Sequence, residues 1–401
     1  MKVIQINSEC GRGSTGKIAV AISNCLTEKG IDNCIFYSGN HKSTYPLSKM
    51  IAKKYSIRSH QILSRIFGDQ GFHSSLETRR LIRWIKEYQP DVILLHNLHG
   101  YYLHLGVLFR FLGEYGKPVI WTLHDCWSFT GHCAHFTLEN CMKWKTGCHS
   151  CGMKHKYPYS WFVDRSSDLY RKKKELFALP ENLTLVTPSD WLADLVKQSF
   201  LKTRRVCVIH NGINLDVFSP TDSDFRKQYG LEGKIILLGV ASEWSNYKGL
   251  DVFIDLYRCL DPIKYQIVLV GTSEKTDKLL PDGILSIHRT QNQAQLAAIY
   301  SAADVFVNPT KEDTYPTVNM EAIACGTPVV TFDTGGCSET VNDITGRIVH
   351  SNSIEELLER IDEVLCSESM NTEVIASVAG RFDERVCFSK YIDLISTGRL
   401  T

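Results

Sequence analysis

VNPTKEDTYPTVNMEAIACGTPVVTFDTGGCSE, residues 307–339, is the stretch whose reading decides the fold. It begins at the end of a short apolar run, 305–308, and crosses a polar loop that holds Glu312 and Asp313. A helical pattern around 319–324 follows, with Glu321 inside it, and the chain turns at Gly326-Thr-Pro328. A second apolar run, 328–332, then leads into Gly335, Gly336 and Glu339. Strand, loop, helix, turn and strand at this length make a βαβ unit. Short, wholly apolar strands belong to a parallel sheet covered on both faces. Carboxylates and glycines therefore collect at the C-terminal ends of strands, where open α/β sheets bind ligands.

The same grammar extends in both directions. Upstream, apolar runs at 234–240 and 265–270 alternate with helical patterns at 250–259 and 294–302. The first run is followed by Lys248-Gly249, which opens a helix. A lysine at a helix N-terminus is well placed to hold a diphosphate. The first half of the chain reads alike. Strands are expected at 2–7, 33–38, 91–96 and 118–123, and helices at 16–29, 47–67 and 79–88. The pattern restarts after the polar stretch 219–232, which suits an interdomain connection. Two Rossmann-like α/β domains are expected, 1–213 and 214–383. A helical stretch, 384–401, would pack back on the first domain.

After the first strand comes Gly11-Arg-Gly13-Ser-Thr-Gly16. Its G-x-G-x-x-G spacing would suit a dinucleotide, but the second strand ends without the carboxylate that the ribose requires. The overlapping G-x-x-x-x-G-K spacing fails as an NTPase loop, because Ile18 stands where a hydroxyl must reach magnesium. What survives is a glycine loop that lets the backbone approach an anion or sugar at a helix start. A tight turn with no ligand fits the same residues.

Composition narrows the class further. The 401 residues are 43% apolar and 22% charged with a net charge of +1, so no basic excess points to nucleic acid. The first residues read directly into a buried strand instead of a signal peptide, and histidines, an asparagine and an arginine interrupt the longest apolar stretch, 92–112. A cytoplasmic protein with reduced thiols is expected.

Taken together, these residues resemble the family 4 retaining glycosyltransferases of the GT-B fold. The family's signature is a K-G pair, E-x7-E, A-x-A-x-G-x-P-V-V and G-G-x-x-E, and the second half of this chain follows it with Asp313 at the eight-residue spacing before Glu321. In the first half the resemblance lies in Thr122-Leu-His124-Asp125, Pro188-Ser189-Asp190-Trp191 and His210-Asn211-Gly212. It covers nearly the whole chain and is nearest to the bacterial capsular and exopolysaccharide branch. The resemblance implies two Rossmann-like domains facing across a deep cleft and a UDP- or GDP-sugar donor. It implies a glycan or polyprenyl-linked oligosaccharide acceptor, and no catalytic metal.

Residue by residue, the resemblance implies that Glu321 binds the ribose and Lys248 the diphosphate. His124 and either Glu312 or Asp313 would serve the transferred sugar, Gly335, Gly336 and Glu339 would support the donor pocket, and Gly11, Gly13 and Gly16 would lie near phosphate or acceptor. Two departures stand out. The arginine usual before the lysine is absent from 239–248, and Glu312 lies nine residues before Glu321, so that Asp313 keeps the eight-residue spacing. The missing arginine keeps open a nucleotide-sugar or glycan binding protein without turnover.

Two segments stand outside this pattern. Cys133, Cys141, Cys148 and Cys151 fall in an insertion, 126–166, with a C-x7-C-x6-C-x2-C spacing that suits structural zinc. Unligated thiols in a packed loop are the alternative. Residues 49–65, KMIAKKYSIRSHQILSR, mix apolar and basic residues without an acid. Such a helix can lie on the inner face of a membrane, or simply present a solvated face.

Overall fold

The computed structural model describes every residue except Arg399 and Thr401. The chain forms two compact units, Met1–His210 with Phe388–Thr401, and Asn211–Cys387.

The first unit is built on seven parallel strands: β1 (Lys2–Asn7), β2 (Asp32–Tyr37), β3 (Ser48–Met50), β4 (Val92–Leu95), β5 (Val119–Thr122), β6 (Leu183–Thr187) and β7 (Arg205–Val208). Their order in the sheet is β3-β2-β1-β4-β5-β6-β7. β4 and β5 are buried along their whole length, as expected of central parallel strands shielded by helices on both sides. The core joins Ile4, Ile6, Ile93 and Leu95 of the strands to Leu81, Leu108 and Phe109 of the flanking helices.

The second unit has six parallel strands: β8 (Ile235–Val240), β9 (Tyr265–Val270), β10 (Leu285–Ile287), β11 (Val305–Asn308), β12 (Val329–Phe332) and β13 (Gly346–Val349). Their order is β10-β9-β8-β11-β12-β13. In both sheets the strand order reverses beside the first strand, between β1 and β4 and again between β8 and β11. The loops leaving two such neighbours diverge to opposite faces and open a crevice at the carboxyl edge. The architecture is thus two doubly wound α/β sheets.

One element differs from expectation. The segment 47–53 does not join a helix. Ser48–Met50 pairs in parallel with Ile35–Tyr37 at the sheet edge, and the helix begins at Lys54. An edge strand is half exposed, so its three residues carry no apolar alternation strong enough to reveal it.

Candidate functional site

At the carboxyl edge of the second sheet, β8 runs into a loop that closes with the single turn Asn246–Lys248. Gly249 follows at φ +76° and opens the helix Leu250–Cys259. A Cβ on Gly249 would sit 2.5 Å from the Pro309 carbonyl oxygen, so glycine is what lets this helix start press against the end of β11. Lys248 Nζ thereby reaches Asp313 Oδ2 at 2.8 Å. Burial would lower the lysine pKa, but Asp313, with weaker help from Cys337 and Glu312, holds it above its ordinary value.

The loop after β11 is pinned from two sides. Lys311 N donates to Tyr247 O at 2.8 Å, and Gly336 N reaches Asp313 O at 3.4 Å. Gly335, at φ +60°, lies so close that a Cβ would fall 1.8 Å from the Asp313 carbonyl oxygen. The glycine pair is therefore a floor against which the Asp313 loop rests. Glu312 belongs to the same loop, and its carbonyl accepts from Thr310 Oγ1 at 3.2 Å. Of the two neighbouring carboxylates, Asp313 is the one that pairs with Lys248.

Glu321 lies inside the helix Thr317–Ala324, and Tyr300 donates to its Oε2 at 3.1 Å. Burial, and then the charge of Glu321, push the Tyr300 phenol well above its usual pKa. Glu339 sits in the turn Ser338–Thr340. A buried polar chain ties these parts together. Asn308 Nδ2 donates to Asn319 Oδ1 at 2.8 Å, Asn319 Nδ2 donates to Thr340 Oγ1 at 2.9 Å, and Thr340 Oγ1 donates to the Cys337 carbonyl at 2.6 Å. Sequence reasoning missed Tyr300, Asn308 and Asn319. The two asparagines carried one signal, since an amide at a strand end and another on the following helix need partners once buried.

In the first unit, Gly11 and Gly13 hold φ of +74° and +63°, and Gly11 N donates to Gly16 O at 2.9 Å. The loop is a closed turn at the start of the helix Gly13–Glu28. Across the same carboxyl edge, His124 follows β5 and stacks on His96, with ring centroids 5.5 Å apart.

The tautomers of these histidines follow from their partners. Gln5 Nε2 donates to Ala19 O at 2.9 Å, which turns Gln5 Oε1 toward His96 Nε2, also at 2.9 Å. His96 therefore carries its proton on Nε2, and its Nδ1 accepts from His124 Nε2 at 3.2 Å. Neutral His124 is left with Nδ1 as its acceptor nitrogen. Burial lowers the His124 pKa to about 4, only partly offset by Asp125. The His96 pKa falls well below its ordinary value for the same reason, with a further push from His124.

Beside them His99 Nε2 meets Asp125 Oδ2 at 2.7 Å, while its Nδ1 meets the Tyr157 hydroxyl at 2.7 Å. Burial alone would raise the Asp125 carboxyl. The charge and hydrogen bond of His99 instead hold it down, to about 2. His96, His99, His124 and Asp125 line a small hollow with Asn97 and Trp127.

The cysteine insertion brings its four thiols close enough to influence one another's charge. Cys133, Cys141, Cys148 and Cys151 pack against the first core. Among the described residues, however, no group of three or more His, Cys, Asp or Glu side chains is arranged to hold a metal ion. Burial drives the Cys133 and Cys148 thiols up, to about 12 and about 11, and the neighbouring cysteines add to the shift.

Comparison with known proteins places this geometry. Residues 15–217 match the family model described as Glycosyltransferase Family 4, and residues 221–379 match that of Glycosyl transferases group 1. The Escherichia coli (strain K12) protein WcaC, named as a colanic acid biosynthesis glycosyl transferase, is 26% identical over 374 residues, covering 90% of each chain. An N,N'-diacetylbacillosaminyl-diphospho-undecaprenol alpha-1,3-N-acetylgalactosaminyltransferase of Campylobacter jejuni is 27% identical over 217 residues, covering 50% of this chain and 57% of that one. Among solved structures, Anabaena Alr3699/HepE in complex with UDP superposes with a TM-score of 0.70 at 15% identity, covering 99% of this chain and 100% of that one. The chain belongs to glycosyltransferase family 4, and its fold is GT-B.

Proposed function

We propose that this protein is a retaining glycosyltransferase that moves a sugar from a nucleotide-sugar donor onto a glycan or polyprenyl-linked acceptor in cell-surface polysaccharide synthesis. The observation that carries the reading is the Lys248–Asp313 pair at 2.8 Å, seated on the Gly335-Gly336 backbone beside the strand reversal of the second sheet. UDP in the Anabaena structure supports a nucleotide-sugar donor, and the undecaprenol named in the Campylobacter enzyme supports a lipid-linked acceptor.

The chemistry follows from charge. Cleavage of the sugar–diphosphate bond builds negative charge on the leaving oxygen and positive charge on the anomeric carbon. Lys248 and the N-terminus of Leu250–Cys259 stabilise the first, and fixed charges of this kind are the largest contribution an enzyme makes to such a step. Glu321 holds the ribose hydroxyls, and Asp313 keeps Lys248 in place while the donor binds. On the acceptor side, His124 is neutral, its Nε2–H donates to His96 Nδ1, and the ring faces the acceptor sugar. With no bond made to an enzyme nucleophile, the acceptor oxygen attacks on the face the diphosphate leaves, its proton passes to the departing diphosphate oxygen, and the configuration is retained.

The test is a melting-temperature panel of nucleoside diphosphates and nucleotide sugars, because a ligand of the folded state raises its melting point. One nucleotide series should stabilise the protein and a matching sugar nucleotide should turn over with retention. Binding without turnover of any donor–acceptor pair would favour a binding protein, and no binding at all would sink the reading.

A further inference from the structure

The helix Lys54–Phe67 is packed inside out. Its buried side consists of Ile57, His60 and Ser64, and His60 is held there by Ser74 at 2.8 Å. Apart from Ile57, its larger apolar residues lean toward solvent: Tyr55 is 70% exposed, Ile62 50% and Phe67 44%. A helix normally buries such a stripe, so leaving it bare costs stability that only a partner recovers.

A second segment, distant in sequence, enlarges the patch. The strap 157–163, near the end of the cysteine insertion, reaches the end of this helix, where Trp161 N donates to Arg65 O at 2.7 Å. Its side chains Trp161 and Phe162 are 46% and 69% exposed. The Arg65 guanidinium lies 5.4 Å from the Tyr159 ring and 5.7 Å from that of Trp161. The fit is tight, since a Cβ on Gly68 would stand 2.6 Å from the Val163 carbonyl oxygen. Helix and strap thus form one surface.

Charge selects the occupant. Lys53, Lys54, Arg58 and Arg65 stand on or beside the helix, and Lys154 and Lys156 lead into the strap, while neither 49–68 nor 153–163 contains an acid. Carboxylates that border the two stretches have partners of their own: Glu77 has Ser56, Asp69 has His73, Asp164 has the backbone of Cys151 and Ser166, and Glu139 has Lys156. Tryptophan and tyrosine among aliphatic side chains, with more cations than carboxylates around them, suit the boundary of an anionic bilayer, where rings enter the acyl boundary and cations meet phosphates.

We propose that the surface formed by Lys54–Phe67 and the strap 157–163 docks the protein on anionic membrane, with Ile62, Phe67, Trp161 and Phe162 entering the lipid. This rests on the proposed function only in that a polyprenyl-linked acceptor resides in such a membrane.

The experiment is flotation of the full-length protein with phosphatidylglycerol–phosphatidylcholine vesicles and with phosphatidylcholine alone, at low and high salt. Binding to the anionic vesicles, weakened by salt, is expected. Arg58→Glu and the double variant Trp161→Ser/Phe162→Ser should each lower partitioning on the order of tenfold. Both variants must keep the wild-type melting temperature, and the singly substituted Phe162→Ser, at the most exposed position, serves if the double variant does not fold. Equal binding to both vesicle types, no binding to either, or variants that bind like wild type would overturn the proposal. Self-association in light scattering that these variants abolish would overturn it in favour of a second copy of this chain. Nucleotide melting shifts in the same samples separate the two readings: shifts without flotation remove the membrane surface alone, and flotation without shifts removes the transferase reading alone.

Discussion

Lys248 and Asp313 stand 65 residues apart in the chain, and their side chains meet at 2.8 Å. They meet because β8 and β11 are neighbours in the sheet, and Gly249 lets the helix start after one touch the loop after the other. The pair stays 36% and 21% accessible, so a diphosphate can approach the lysine without displacing the core.

Lys248→Ala should therefore weaken nucleoside diphosphate binding by about 10- to 100-fold while leaving the free nucleoside nearly unaffected. Calorimetric titration with both ligands checks this. An equal loss for the two would place the lysine away from the phosphates.

Glu321→Ala should cost about tenfold or more in affinity for the ribonucleotide, the worth of one or two hydrogen bonds to a charged group. The 2'-deoxy nucleotide should lose less. If both lose the same, Glu321 does not read the ribose and its bond to the Tyr300 hydroxyl is its whole role.

Gly335→Ala places a methyl group against the Asp313 carbonyl in a left-handed backbone conformation. A loss of roughly 1–3 kcal/mol of stability is expected, together with weaker nucleotide binding as the Asp313 loop moves. Denaturant titration with and without nucleotide measures both. A variant as stable and as tightly binding as wild type would show that the glycine floor does not position that loop.

His124 gives a pH signature. Its folded pKa of about 4 lies below the unfolded value, so between the two the unfolded chain binds more protons. The neutral ring's contribution is complete above about pH 6.5 and is lost as pH falls toward 4. At pH 5 the loss due to His124 alone should be on the order of 2 kcal/mol. Denaturant titrations at pH 7 and pH 5, for wild type and His124→Gln, test it. A pH dependence unchanged by the substitution would show that His124 is not held neutral by its burial.

How far the site could be read beforehand varies with its residues. Glu312, Asp313, Glu321 and the glycine pair declare themselves because each follows an apolar strand at a spacing a βαβ unit imposes. Which of Glu312 and Asp313 meets Lys248 was not legible, since neighbouring residues of a loop differ only in the direction their side chains take. Tyr300 and Asn319 were hidden for another reason. They sit on helices whose residues read as ordinary core or polar positions, and only packing gives them their partners. The edge strand Ser48–Met50 was merged into a helix because three half-exposed residues have no period of their own.

The sequence by itself determined the alternation of short buried strands with helices, and hence two parallel sheets with polar residues at their carboxyl edges. Those features rest on local hydrophobic period and turn chemistry, which a chain displays without reference to distant residues. Tertiary structure alone decided what depends on distant side chains meeting. It pairs Lys248 with Asp313, fixes the His124 tautomer through His96 and Gln5, packs the clustered cysteines against the first core, and turns the apolar side of Lys54–Phe67 outward. In that helix amphipathic spacing is present in the sequence, but which face is buried depends on what Ser74 and the strap 157–163 offer, and no local pattern encodes that.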